Sequence, residues 1–182
     1  LAFVSNHVPR KGVAELVAAI DRLHERDGPA FEAVLAGDGP ISDRAADLSA
    51  RRASVTYRGY VSEREKRALL ADADLYALPS HAEGLPIGLL EGMAAGNAVV
   101  TTDVGAIPEV VDDDGGRLVE PGDVTELTDT LDALIGDPES LREMGAHNRR
   151  LVEDRYAWEA VAQRLLAVYD SVTEDATAVG GD

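Results

Sequence analysis

The stretch HAEGLPIGLLEGMAAG, residues 81–96, holds two glutamates, Glu83 and Glu91, with seven residues between them. Glu83 stands just before Gly84, which permits a tight turn and a close approach of backbone to a ligand. Pro86 then opens an apolar run of helical spacing and Gly96 closes it, so a helix is predicted over 86–95. Its amino end offers free N–H groups from Leu85, Ile87 and Gly88, a natural seat for phosphate. Glu91, about one turn further in, suits a different group. A carboxylate accepts two hydrogen bonds from a vicinal diol such as a ribose, and it repels phosphate. The loop can fold Glu83 back over the helix start, so that the two acids flank one ligand. In VPRKG, Arg10 and Lys11 follow a first strand and precede a helix. Lysine is a compact point charge for phosphate and stabilises a departing diphosphate. The ligand predicted from these residues is a nucleoside diphosphate, with its phosphates on backbone N–H groups and Lys11 and its pentose at Glu91.

Taken singly, each of these residues has an ordinary structural reading. Glu91 is then a solvated helix face, Glu83 a loop charge and Lys11 a surface lysine. The functional prediction rests on their convergence. His81 reads as a loop histidine with no obvious partner, Asp103 as the cap of a short helix, and GDGP at 37–40 as a turn.

That convergence needs a scaffold, and the hydrophobic pattern supplies one. Strands are predicted at 1–5, 31–36, 54–57, 74–78, 98–101 and 116–119. Helices are predicted at 12–26, 42–51, 62–71, 86–95 and 106–111, then at 124–135, 138–154 and 158–172. Ser42 reads as a helix cap, and Ser62 with Glu65 as a capping box. Strands alternating with helices across short connections predict an α/β fold, a doubly wound parallel sheet with a helical C-terminal extension. Ligands of such sheets sit beyond the carboxyl ends of the strands, where the loops carrying Lys11, Glu83 and Asp103 fall. The polar end, EDATAVGGD, reads as disordered.

Composition narrows the function. The chain has 182 residues, which suits one domain, and a net charge of −17 that repels nucleic acid and anionic membranes. Lys11 and Lys66 are its only two lysines, a balance like that of proteins from salt-adapted organisms. At molar salt the screening length falls to about 3 Å and self-repulsion is tolerable. The absence of cysteine excludes disulfides and thiol chemistry. No apolar run is long enough to span a bilayer and no leader pattern stands at the start, so a cytoplasmic location is expected, with no direct membrane insertion by this domain.

EGLPIGLLEGMAAGNAVVTTDVGAIPEVV resembles the E-x7-E donor segment of retaining GT-B glycosyltransferases, most closely family 4, the glycosyltransferases group 1. VPRKG resembles that family's lysine segment, VTYRGYVSEREKRALLADADLYALPS its base-binding segment, and GGRLVEPGD the strand and turn before its helical end. The resemblance covers residues 3–169. It implies the Rossmann-like C-terminal domain of a GT-B enzyme, with residues 1–174 as a nucleotide-sugar donor domain, 175–182 as a tail, and an N-terminal acceptor domain absent from this chain. It implies that Glu91 binds the ribose, that Glu83 places the donor sugar as a positioning group rather than a nucleophile, and that Lys11 neutralises the diphosphate. Gly84, Leu85, Pro86 and Ile87 would run along the sugar and diphosphate, and Tyr60 and Val61 would hold the base through main-chain groups. Glu83 and Lys11 are thus the expected catalytic residues. No cofactor and no metal are expected, since no Asp-x-Asp pair lies near the donor loops and the run 112–114 reads as surface charge.

Two departures stand out. Where the family has Gly-Arg, this chain has Ser5 and Asn6, so Arg10 is the candidate to take over the missing arginine's part. The family's Gly-Gly is Gly105–Ala106 here. By itself the chain is expected to bind donor weakly and to transfer nothing efficiently. The rival reading keeps the fold and drops catalysis, leaving a nucleotide-sugar binding or partner-docking module. More distant rivals are another GT-B enzyme, such as a phosphorylase or epimerase, and an unrelated receiver or flavodoxin-like domain.

Overall fold

The computed structural model describes residues 1–179. Six short strands form one sheet: β1 (Ala2–Val4), β2 (Ala33–Ala36), β3 (Val55–Gly59), β4 (Leu75–Leu78), β5 (Ala98–Thr102) and β6 (Gly116–Val119). Their order is β3-β2-β1-β4-β5-β6, and every neighbouring pair is parallel. β4 and β5 are buried at every residue, which is why their sequences, LYAL and AVVTT, do not alternate with polar side chains. The predicted doubly wound α/β fold with a helical extension is the fold observed.

The helices are α1 (Val13–Leu23), α2 (Ser42–Arg51), α3 (Glu63–Ala71), α4 (Ile87–Ala95), α5 (Val124–Ile135), α6 (Pro138–Arg155) and α7 (Trp158–Val179). Right-handed crossovers carry α1 and α2 over one face of the sheet and, once the chain turns back past β1, α3 and α4 over the other. α1 accordingly packs on α2 and α5, and α4 on α3 and α6. α1 buries Leu16, Ala19, Ile20 and Leu23, a stripe of helical spacing.

Local chemistry sets most helix starts. The Ser62 hydroxyl accepts from the Glu65 N–H at 3.3 Å, and the Ser62 N–H donates to Glu65 Oε2 at 2.8 Å, completing the predicted capping box. Asp123 and Asp137 cap α5 and α6 by simple side-chain caps, accepting from the N–H groups of Thr125 and Glu126 and of Ser140. Ser42 does not cap α2. Ile41 occupies that position, and the Ser42 hydroxyl donates instead to Asp38 Oδ1 at 3.0 Å. The predicted helix over 106–111 is a single 3-10 turn, Ile107–Glu109, preceded by Ala106 with no side-chain cap, so Asp103 has no capping part. Another 3-10 turn, Pro9–Lys11, occupies what reads as loop in the sequence. α1 ends at Leu23, short of the predicted limit, while α7 runs to Val179. The tail predicted over 175–182 therefore begins inside α7, and residues 180–182 lie outside the described residues.

The helical extension is built into the core. Asn148 of α6 is fully buried, and its Nδ2 donates to the carbonyls of Asn97 at 2.8 Å and Gly115 at 2.7 Å. The Asn97 carbonyl immediately precedes β5 and the Gly115 carbonyl immediately precedes β6, so one side chain ties α6 to two strands.

Candidate functional site

β1 and β4 are neighbours in the sheet but far apart in sequence, and the connections leaving them run to opposite sides. A crevice must open beyond their carboxyl ends, where ligands of doubly wound sheets bind. The structure has a cleft of about 400 Å³ there. A larger hollow, about 630 Å³, lies at the other end of the strands around Leu1 and Asp74, and neither lysine reaches it.

Three loops and a helix start wall the cleft. The loop after β1 contributes Asn6, Arg10 and Lys11, the loop after β2 contributes Gly37 and Asp38, the loop after β3 contributes Tyr60 and Val61, and the start of α4 contributes Pro86, Ile87 and Glu91. Glu83, Gly84 and Leu85 are not among its lining residues. Glu83 reaches the cleft through a partner: Lys11 Nζ lies 2.5 Å from Glu83 Oε1, which also accepts from the Ser80 hydroxyl at 2.7 Å. The two predicted catalytic residues are thus joined to each other, with only 13% and 6% of their side chains exposed. Pro86 is the residue before α4 rather than part of its first turn. Its carbonyl accepts from the Leu89 N–H at 3.0 Å, leaving the Ile87 and Gly88 N–H groups at the helix start.

Glu91 also has a lysine. Lys66, on α3, places Nζ 2.7 Å from Glu91 Oε1 and 2.9 Å from Glu63 Oε2, and it lines the cleft. Burial works against its charge, but the two carboxylates outweigh that and hold its pKa above the ordinary lysine value. Both lysines of the chain therefore stand at this cleft, each paired with one of the two glutamates. The sequence signal for Lys66 was the scarcity of lysine itself, together with its spacing of three from Glu63. Arg10 makes no ion pair among the described residues, and Asn6 brings no charge. Of the cations lining the cleft, Arg10 is the uncommitted one. His81, read from sequence as partnerless, has Nε2 3.0 Å from Glu15 Oε1.

Close backbone packing sets these positions. Gly12 ends the Pro9–Lys11 turn at φ 71°, and a Cβ there would lie 1.9 Å from the Pro79 carbonyl oxygen. The lysine loop is thereby pressed against the end of β4. Gly105, at φ 59°, plays the same part for the other loop: a Cβ would lie 2.1 Å from the carbonyl oxygen of Glu83. α4 sits low over the sheet because Gly88 and Gly92 face Tyr76, where a Cβ would come within 3.0 Å and 2.9 Å of that side chain. The Tyr76 hydroxyl donates to the Val4 carbonyl at 3.1 Å, bridging β4 to β1 under the cleft. Burial first, then the charges of Glu91 and Glu83, push its pKa well above the ordinary tyrosine value, so it stays a donor.

His7 gave no signal in the sequence. It is fully buried between the rings of Phe3 and Tyr57, and neither ring nitrogen has a hydrogen-bond partner. Its backbone joins two walls of the cleft, donating to the Asp38 carbonyl at 2.9 Å and accepting from the Ile41 N–H at 3.2 Å. Burial holds its pKa below the ordinary value of 6.5, against the opposing pull of the Ala36 carbonyl and Asp38. The unfolded chain then takes up the proton first as pH falls below about 6.5, so stability is full above that pH and declines below it. His7→Leu is expected to reduce that decline, which thermal melts of both proteins at pH 5.5 and 7.5 will measure.

Among the described residues no three His, Asp or Glu side chains gather as metal ligands, and no helix is long and apolar enough to cross a membrane.

Residues 1–137 match the family described as glycosyl transferases group 1. The chain belongs to that family. It is 38% identical over 174 residues to the MMP alpha-(1->4)-mannosyltransferase of Mycolicibacterium hassiacum, covering 93% of this chain and 42% of that enzyme. It superposes on the C-terminal domain of a glycosyl transferase group 1 family protein (LpcC) from Francisella tularensis with a TM-score of 0.75 at 27% identity, covering 85% of this chain and 84% of that domain. The sucrose-phosphate synthase of Thermosynechococcus elongatus shares the fold, with a TM-score of 0.79 at 24% identity over 96% of this chain and 45% of that one. The chain spans less than half the length of the curated relatives it matches. This glycosyltransferase domain corresponds to the C-terminal half of a GT-B enzyme.

Proposed function

We propose that this domain binds the nucleotide-diphosphate-sugar donor of a retaining glycosyltransferase, in the cleft between β1 and β4. The observation that carries the reading is the convergence there of Lys11, Arg10, the free N–H groups starting α4, and Glu91. In this reading the diphosphate lies over the start of α4 against Lys11, and Arg10 takes the place of the family's missing arginine. Glu91 accepts from the ribose hydroxyls, and main-chain groups near Tyr60 and Val61 meet the base. The Lys11–Glu83 pair sits between phosphate and sugar. Lys11 offsets charge that builds on the leaving diphosphate, while Glu83 fixes Lys11 and helps to place the sugar, along which the backbone of Gly84 and Leu85 would run. The acceptor would be held by an N-terminal domain, in cis or in trans, and the donor site needs no metal when Lys11, Arg10 and the helix start supply the positive charge. The acidic chain would work in a salt-rich cytoplasm.

A specific observation favours the rival, a nucleotide-sugar binding module without catalysis. Both lysines at the cleft are already neutralised by glutamates, and Asn6 adds no charge. Calorimetric titration of this chain with UDP, GDP and their sugars tests the main reading. A nucleoside diphosphate is expected to bind, and to weaken as salt screens the phosphate contacts. No binding of any of them overturns the donor reading. Binding that no supplied acceptor domain converts into transfer supports the module.

A further inference from the structure

Lys66 lies in the segment that resembles the family's base-binding part and has no assigned contact there, yet it pairs directly with Glu91, 25 positions on. Its Nζ is 2.7 Å from Glu91 Oε1 and 2.9 Å from Glu63 Oε2, while no described group pairs with Glu91 Oε2. Glu91 is on α4 and Lys66 on α3, and the Glu91 side chain is about one-third exposed at 34%. A glutamate that open to solvent samples several rotamers unless something holds it. Lys66, at 19% exposure, is the more anchored of the two, because Glu63 grips it from one turn earlier on its own helix.

We infer that Lys66 is a positioning residue for ribose recognition: it holds one oxygen of Glu91, so that the other is aimed into the cleft to accept from the pentose hydroxyls. This rests on the donor reading above. The arrangement is a three-member relay across two helices, Glu63 to Lys66 to Glu91. It fixes the direction of a side chain that α4 alone leaves free. It also explains a difference between the two lysines. Lys11 points to the phosphate side of the cleft, whereas Lys66 serves the sugar side without touching phosphate.

The relay makes a prediction that a merely structural ion pair does not. Removing Lys66 should weaken binding of ribonucleotides and leave deoxy analogues unaffected, since only the former use Glu91. The test is calorimetric titration of the chain and its Lys66→Met and Lys66→Arg variants with UDP and GDP and with their 2′,3′-dideoxy counterparts. Lys66→Met is expected to lower affinity for the ribonucleotides about five- to tenfold, to leave the dideoxy compounds unchanged, and to be partly rescued by Lys66→Arg. Thermal melts of the three proteins check that the variants are folded. Equal loss on ribo and dideoxy ligands would show that Lys66 acts on phosphate or base, and overturns the proposal while leaving the donor reading intact. Unchanged ribonucleotide binding by a folded Lys66→Met also overturns it. Failure of the unsubstituted chain to bind any nucleoside diphosphate overturns both.

Discussion

Glu91→Ala is expected to weaken nucleoside diphosphate binding about 10- to 100-fold, because losing the hydrogen bonding to this carboxylate costs about 1.5–3 kcal/mol in all. Two opposing effects follow the substitution. The pentose loses its acceptor, and Lys66 loses one of its two partners and leaves the cleft more positive. The second effect favours a dianionic ligand, but it is screened at moderate salt, with a Debye length of about 8 Å at 0.15 M. The local hydrogen bonds are not screened and dominate. Glu91→Gln separates the two contributions, since the amide keeps one carbonyl acceptor and drops the charge. The measurement is calorimetry at 0.15 M salt with ribo and 2′,3′-dideoxy ligands. In the unsubstituted chain the ribo form should bind more tightly, and in Glu91→Ala the two should bind alike. An alanine variant that still prefers the ribonucleotide would place the pentose elsewhere and remove the central support of the donor reading.

Gly105→Ala is expected to destabilise the domain strongly. The added Cβ would lie 2.1 Å from the carbonyl oxygen of Glu83 and 2.7 Å from that of Gly84, at a φ of 59° that an alanine adopts only under strain. Backbone strain and overpacking each destabilise by about 1–3 kcal/mol, so a loss of about 3 kcal/mol is expected. For a domain of this size that lowers Tm by roughly 6–12 °C. The Glu83 loop must also move, and the hydrogen bond from the Ala106 N–H to the Gly84 carbonyl, 3.0 Å long, would break with it. Gly84→Ala is the contrast. Nothing lies within 4 Å of a Cβ at that position, and its stability should change by less than about 0.5 kcal/mol. Melts of the two variants side by side measure the difference. Equal stability would mean that Gly105 does not clamp the loop.

Some of this site was legible in the sequence because it is local. The helix carrying Glu91 is marked by Pro86 and Gly96, and Lys11 is marked by its place between a strand and a helix. Such signals depend only on neighbours along the chain. The capping box at Ser62 is of the same kind, and it was correctly read. The cap assigned to Ser42 was wrong because Asp38, in a tight turn, takes the hydroxyl first. The helix assigned to 106–111 was too long because Gly105 and Ala106 are committed to the Glu83 loop, leaving only Ile107–Glu109 to turn.

Most of the residues that sequence reasoning did not reveal act across long separations. Lys66 meets Glu91, 25 positions on, only after α3 and α4 pack side by side. Tyr76 has an ordinary strand sequence, and its hydroxyl finds the Val4 carbonyl because β4 happens to lie beside β1. His7 reads as a loop residue until two strand ends close around it.

The amino-acid sequence by itself determined the type and order of the elements, the family, and the segments that carry Lys11, Glu83 and Glu91, since each of these is written in local periodicity, turn chemistry and motif spacing. Only the tertiary structure decided which charges pair. A strand order that puts β1 against β4 brings Lys11 to Glu83, and the packing of α3 on α4 brings Lys66 to Glu91. Ion pairs between residues tens of positions apart depend on the register of helices over a sheet, and no local pattern encodes that register.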